Sequence, residues 1–94
     1  MSKKIKLEKI AKLLLVAGDA SRLKILCIIF KHKSACVSEI AKELRVSVAC
    51  VSHHLQVLHD EGILSSSRDG KYIYYSLSDS DFVSDLRGLV CKYK

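Results

Sequence analysis

The chain of 94 residues is long enough for one small domain with a modest core and too short for a second. Hydrophobic residues make up 49% of it and proline is absent, which argues against extensive disorder. No apolar run reaches the roughly 18 residues that a membrane span requires, so we expect no membrane partner and a cytoplasmic location. Lys9 and Lys12 interrupt the apolar N-terminal stretch at helical spacing, which favours an amphipathic helix over a targeting signal.

The formal net charge of +6 is unevenly distributed along the chain. Residues 1–33 carry nine Lys or Arg residues and two acidic ones, whereas residues 34–94 carry seven Lys or Arg residues and eight acidic ones. A basic protein of this size suggests an acidic partner, and nucleic acid is the first candidate. A solvated basic helix face is the alternative, and charge alone does not separate the two.

The predicted elements, taken in chain order, form a winged helix-turn-helix. We predict helices over 5–17, 21–32, 34–44, 47–61 and 80–93, and a hairpin over 63–77 with its turn at Asp69-Gly70. The apolar stripes are Ile10, Leu13, Leu14 and Ala17 in the first helix and Phe82, Leu86, Leu89 and Tyr93 in the last. Ser47 is a preferred N-cap residue, and Cys36 with Glu39 three residues on resembles a capping box. The order α-α-α-α-β-β-α predicts one mainly α domain over 1–94 with a small β-hairpin wing.

The helix over 47–61 has an apolar stripe and, opposite it, a small polar face without charge. Val51, Leu55 and Leu58 form the stripe and are expected to face the core. The polar face suits a helix that enters the major groove of double-stranded DNA. We predict further contacts from the helix start, the turn before it and the basic hairpin tip, although that tip is alternatively an ordinary solvated turn. The predicted DNA-binding residues are Arg45, Ser47, Val48, Ala49, Ser52, His53, Gln56, Arg68 and Lys71.

The same helix contains a cysteine and histidines, residue types that occur in metal and catalytic sites. His53 and His54 are adjacent and therefore point about 100° apart, so they do not converge on one ion with Cys50. His54 and Cys50 are expected at the edge of the core. We predict no metal site, no cofactor and no enzyme, since the chain also lacks a glycine-rich phosphate loop and a nucleophile elbow.

Four segments resemble the ArsR/SmtB family of dimeric winged-helix repressors. They are GDASRLKIL (18–26), VSEIAKEL (37–44), VSHHLQVLHDEGIL (51–64) and RDGKYIYYSL (68–77). The resemblance implies a homodimer held by helices within 1–17 and 79–94, whose recognition helices read a palindromic operator with half-sites roughly 34 to 36 Å apart. A second helix that is apolar on all sides also suggests that one chain offers too little surface for its burial. Ala20 and Ser21 depart mildly from the commoner proline and threonine of the first motif.

The resemblance also implies an inducer that releases the operator, and the cysteines limit the choice. The metalloid-binding C-x-C pattern is reduced to Cys36-Val37-Ser38, and the zinc-binding pattern of the last helix lacks its histidine at Asp79-Ser80-Asp81. Some members sense reactive sulfur species or oxidants through one cysteine in the second helix and one in the last. Cys27 matches the first position, and Cys91 matches the second with a shift of about one helical turn. Thiol sensing by this pair is our prediction; a soft metal or metalloid, or no small inducer, are the alternatives.

A winged helix that binds protein instead of DNA is the rival hypothesis from another class. Residues 37–60 carry Lys42 and Arg45 against three acidic residues, so the helix-turn-helix itself is close to neutral. DNA binding would then depend on helix dipoles, the hairpin and the lysine-rich N-terminus.

Overall fold

Within residues 6–93, which a computed structural model describes, the chain forms five helices and a small antiparallel sheet of three strands. The helices are α1 (Leu7–Ala17), α2 (Ala20–His32), α3 (Val37–Leu44), α4 (Val48–Asp60) and α5 (Asp81–Tyr93), and the strands are β1 (Ser34–Cys36), β2 (Leu64–Asp69) and β3 (Tyr72–Leu77). The predicted class is confirmed, with α3 and α4 as the helix-turn-helix and β2–β3 as the wing. Ile5, the predicted start of the first helix, and the lysines before it lie outside the described residues. No helix in this part of the chain is both long and apolar enough to cross a membrane.

One strand departs from the predicted order of elements. The sequence predicts a helix over 34–44, but Ser34–Cys36 is the strand β1 and pairs antiparallel with β3, which gives the sheet order β1-β3-β2. Helix α3 begins only at Val37, because Cys36 is its extended N-cap residue. The side chain of Glu39 accepts the backbone N–H of Cys36 at 2.9 Å, so the predicted capping box is present.

Helix α2 lies at the centre of the hydrophobic core. Its buried side chains are Ile25, Leu26, Ile28, Ile29 and Phe30. The other four helices and strands β1 and β3 pack against it and enclose its apolar side chains, contrary to the expectation that one chain offers too little surface. A single chain supplies this enclosure, and the burial of α2 therefore does not require a second subunit.

Large apolar side chains remain exposed on α1 and α5. Leu7 and Leu15 are 78% and 79% exposed, and Leu14, which belongs to the apolar stripe of the first helix, is 53% exposed. In α5, Leu89 and Tyr93 of the apolar stripe are 56% and 75% exposed. The side chains of α5 that face the core are the buried Val83 and Leu86 and the half-buried Phe82 and Val90. The first and last helices thus each present an apolar face to solvent in the single chain.

Candidate nucleic-acid interface

The rotation of α4 about its axis separates a buried stripe from a polar face. Val51, Leu55 and Leu58 have no exposed surface, as the 3.6-residue period predicts. The side chains on the other side are exposed: Ala49, Ser52, His53 and Gln56. Burial of three large side chains fixes the orientation of the helix, so its exposed face is presented in one direction.

The start of α4 is an exposed, capped helix N-terminus. Ser47 is the N-cap residue, and its Oγ accepts the backbone N–H of Cys50 at 3.1 Å. Ser47, Val48 and Ala49 are all exposed, and the first turn of α4 contains no acidic residue. The partial positive charge of a helix N-terminus is therefore uncompensated here, which favours an approaching phosphate.

The polar face of α4 already contains one internal hydrogen bond. The amide of Gln56 donates to Oδ1 of Asp60, one turn further along, at 2.8 Å. This contact orders the Gln56 side chain and leaves its amide oxygen free to accept. In contrast, Ser52 and His53 make no side-chain hydrogen bond within the described part of the chain.

The turn before α4 is a left-handed helix end. Arg45 is the C-cap residue of α3, with φ 60° and ψ 44°, and its backbone N–H bonds to carbonyls of the last turn of α3. An arginine in this conformation is strained relative to glycine, at a cost of about 1 kcal/mol. Arg45 is exposed and lies two residues before Ser47, the N-cap of α4. This position in the chain is compatible with the predicted phosphate contact.

The wing carries basic and apolar side chains at its tip. Gly70, with φ +67°, provides the left-handed residue of the turn between β2 and β3. Arg68 pairs across the strands with Ile73, and the ammonium of Lys71 lies 5.8 Å from the ring centre of Tyr72. All four of these side chains are exposed, so the tip combines two cations with apolar surface.

A histidine of α4 contacts the base of the wing. Nε2 of His59 lies 3.4 Å from Oγ of Ser66 in β2, and its ring meets the ring of Tyr75 edge-on with 6.2 Å between centres. These contacts set the wing against the end of α4. Sequence reasoning missed them, because a lone histidine on a helix has no local pattern that names its partner.

The other histidine and cysteine of α4 occupy its flank. Nδ1 of His54, a half-buried residue, accepts a hydrogen bond from Nε of Arg22 in α2 at 3.2 Å. His54 lies at the edge of the core as predicted, whereas Cys50 is exposed. Arg22 is a second residue that the sequence did not single out.

The candidate sensing cysteines belong to two helices that pack together. Cys27 lies half-buried in α2 and Cys91 is exposed near the end of α5, and both thiols are free. Among residues 6–93, no three His, Cys, Asp or Glu side chains come together in a way that could hold a metal ion. Cys36 is buried, and its Sγ lies 3.3 Å from Oγ of Ser38 at the start of α3.

A short helix, a turn, a second helix with an exposed polar face and a basic hairpin together define a winged helix-turn-helix DNA-binding protein. Comparison with known proteins agrees with this class. Residues 19–66 match the family described as bacterial regulatory protein, arsR family. An HTH-type transcriptional regulator of Methanocaldococcus jannaschii is 35% identical over 85 residues, which covers 90% of this chain and 94% of that protein.

Two further comparisons extend the match. A homologue of the cadmium resistance transcriptional regulatory protein CadC from Staphylococcus aureus is 36% identical over 70 residues, covering 74% of this chain but only 58% of that longer protein. The crystal structure of the transcriptional repressor PagR of Bacillus anthracis superposes with a TM-score of 0.79 at 33% identity, covering 89% of this chain and 94% of PagR. The chain belongs to the ArsR family. It is therefore a DNA-binding transcriptional regulator, and the prediction that it is not an enzyme is confirmed.

Proposed function

We propose that the chain represses transcription as a homodimer, with helix α4 of each subunit in the major groove of a palindromic operator. The observation that carries the proposal is the exposed polar face of α4, opposite a completely buried stripe. Ser52, His53 and Gln56 would contact base edges or phosphates from this face. Ser47, Val48 and Ala49 at the capped helix start, and Arg45 before it, would contact phosphates.

The wing adds the second part of the proposed interface. Arg68 and Lys71 would track phosphates beside the groove that α4 occupies. Because the helix-turn-helix is close to neutral, these two cations and Arg45 carry much of the expected electrostatic attraction. The exposed apolar residues of α1 and α5 support dimerisation through these two helices, because large apolar side chains exposed together on a helix face are typical of protein–protein contacts.

A gel shift with DNA from upstream of the protein's own gene, at two salt concentrations, tests DNA binding. Lys71→Ala removes one phosphate contact per subunit and is expected to make the salt slope shallower by about 2 for the dimer, because each neutralised phosphate contributes about 0.9. Lys31→Ala is the control, because it also removes one exposed lysine charge, but from the last turn of α2. Absent or salt-insensitive binding by the wild type would support the protein-binding alternative instead.

A second variant tests which face of α4 reads the operator. Ser52→Ala combined with His53→Ala is expected to weaken operator binding about 10-fold or more, while affinity for unrelated DNA changes little. Both side chains are exposed, so the dimer and its thermal unfolding should be unaffected. Loss of folding in this variant would mean that α4 is rotated differently from the structure.

For the inducer, we favour thiol chemistry at Cys27 and Cys91. In this reaction the two thiols lose two protons and give two electrons to an oxidant or a reactive sulfur species. A disulfide, or a bridge with additional sulfur atoms from that species, then joins α2 to α5. The packing of α2 against α5 supports the proposal, because a bridge there would strain both helices. A soft metal is the second candidate, and the relationship to a cadmium resistance regulator favours it.

Mass spectrometry of the protein after tetrasulfide, oxidant or cadmium treatment distinguishes these inducers. A variant with Cys36→Ser and Cys50→Ser retains the proposed pair and should still become linked and release the operator. Cys27→Ser should abolish both effects. If Cys27 and Cys91 never become linked, the thiol proposal is wrong, and release by cadmium alone would favour the metal.

A further inference from the structure

Arg22 connects the end of α1 with the middle of α4. It lies in the first turn of α2, where Asp19 caps the helix by accepting the backbone N–H of Arg22 at 3.1 Å. Its Nη1 donates to the carbonyl of Val16 at 3.1 Å, and its Nε donates to Nδ1 of His54 at 3.2 Å. One guanidinium therefore holds three helices in a fixed relation.

The acceptor on α1 has no hydrogen-bond partner within its own helix. The carbonyl of Val16 belongs to the last turn of α1, where carbonyls have no partner within the helix. The planar guanidinium presents donors in a rigid fork, so it fixes the direction between its two partners in a way that a lysine ammonium does not. Both hydrogen bonds are partly buried, which makes them stronger than contacts in water.

Through His54, the link from Arg22 reaches α4, the helix whose exposed polar face is proposed to contact DNA. His54 directly follows His53 on α4 and lies half-buried on its flank, so its hydrogen bond to Arg22 adds a polar contact with α2 to the buried stripe that fixes the orientation of α4. A second link joins α1 to α4 at Glu61, which lies 3.3 Å from Lys12 and 3.9 Å from Lys9. Because the side chains of Lys9 and Lys12 are 53% and 62% exposed, these two ion pairs stabilise the contact between α1 and α4 only weakly.

We propose that Arg22 is a positioning residue for operator binding, which steadies the orientation of α4 through His54 in addition to the buried stripe of that helix. The inference rests on the proposed function, because it assigns α4 to the operator. A recognition helix held in its binding orientation loses less freedom on docking than one that rotates between orientations. Loss of the link therefore weakens binding to DNA without removing any group that contacts it.

The hydrogen bond determines which nitrogen of His54 is the acceptor. A guanidinium can only donate, so Nδ1 of His54 accepts and the ring proton of this tautomer lies on Nε2.

Operator binding by variants at position 22 tests the positioning role. Arg22→Lys keeps the charge but not the fork, so we expect about 5- to 10-fold weaker binding with an unchanged salt slope. Arg87→Lys is the matched control, since Arg87 is exposed and makes no hydrogen bond or ion pair within the described residues. Unaltered affinity in Arg22→Lys, with wild-type binding intact, would overturn the inference and leave the proposed function standing.

A conservative variant at position 54 separates positioning from a merely structural role. His54→Ala removes the acceptor and is expected to weaken operator binding about as much as Arg22→Lys, whereas His54→Asn, whose side-chain oxygen stands in for Nδ1, should bind as the wild type does. Equal losses in the two variants would overturn the positioning role. Nitrogen NMR of the free protein, which needs no DNA, should show the ring proton of His54 on Nε2, and the opposite tautomer would refute the hydrogen bond itself.

Discussion

Ser47→Asp should separate the stability of α4 from its capacity to bind DNA. Ser47 is exposed, and its Oγ caps the helix by accepting the N–H of Cys50 at 3.1 Å. A carboxylate accepts the same bond, and its charge interacts favourably with the helix N-terminus by about 0.3 to 1 kcal/mol. The variant should therefore be as stable as the wild type or slightly more so. Ser47→Ala, which loses the cap, should be about 1 kcal/mol less stable, or about 4 to 8 °C lower in Tm.

Operator binding should show the opposite order for the aspartate variant. A carboxylate at this helix start occupies the place proposed for a phosphate and repels it, in both subunits of the dimer. We expect at least about 10-fold weaker binding, equivalent to about 1.4 kcal/mol, in fluorescence anisotropy with labelled operator DNA. Thermal unfolding by circular dichroism gives the stability of the same samples. Wild-type affinity in Ser47→Asp would refute the placement of this helix start near a phosphate, and a loss of stability equal to that of Ser47→Ala would refute the cap.

The remaining predictions concern the core, the acid stability and the dimer. Leu55→Ala should cost about 3 kcal/mol or more in urea unfolding, because the side chain has no exposed surface. Hydrogen bonding from the backbone N–H of Cys36 lowers the pKa of Glu39, so its stabilising effect is present above the ordinary carboxyl pKa and is lost as the pH falls through the lowered value. Glu39→Gln should remove that part of the acid dependence, and an unchanged pH profile would contradict it. Leu15→Glu with Leu89→Glu should yield monomers in light scattering, and a persistent dimer would exclude α1 and α5 as the interface.

Helix α4 could be predicted in detail because its determinants are local. The N-cap at Ser47, the apolar period of Val51, Leu55 and Leu58, and the glycine after the helix all act within a few residues of one another. Gly62 takes a φ of +79°, a conformation that favours glycine and ends the helix there. The polar face followed directly from the same period. The hairpin was equally accessible, since its turn residues are adjacent in the chain.

Tertiary structure alone decided which apolar side chains are buried and which side chains meet across helices. Leu14 and Leu89 fit the helical period, but the neighbouring elements in the single chain do not cover them. Strand β1 forms because the free edge of β3, far along the chain, accepts it, and three residues carry no pattern of their own. The Arg22–His54 hydrogen bond joins residues 32 positions apart. Local patterns depend on the backbone period and on caps within one turn, so the sequence by itself determines the helices, the wing and the face of α4. The choice of partners depends on how those elements pack, which no short segment encodes.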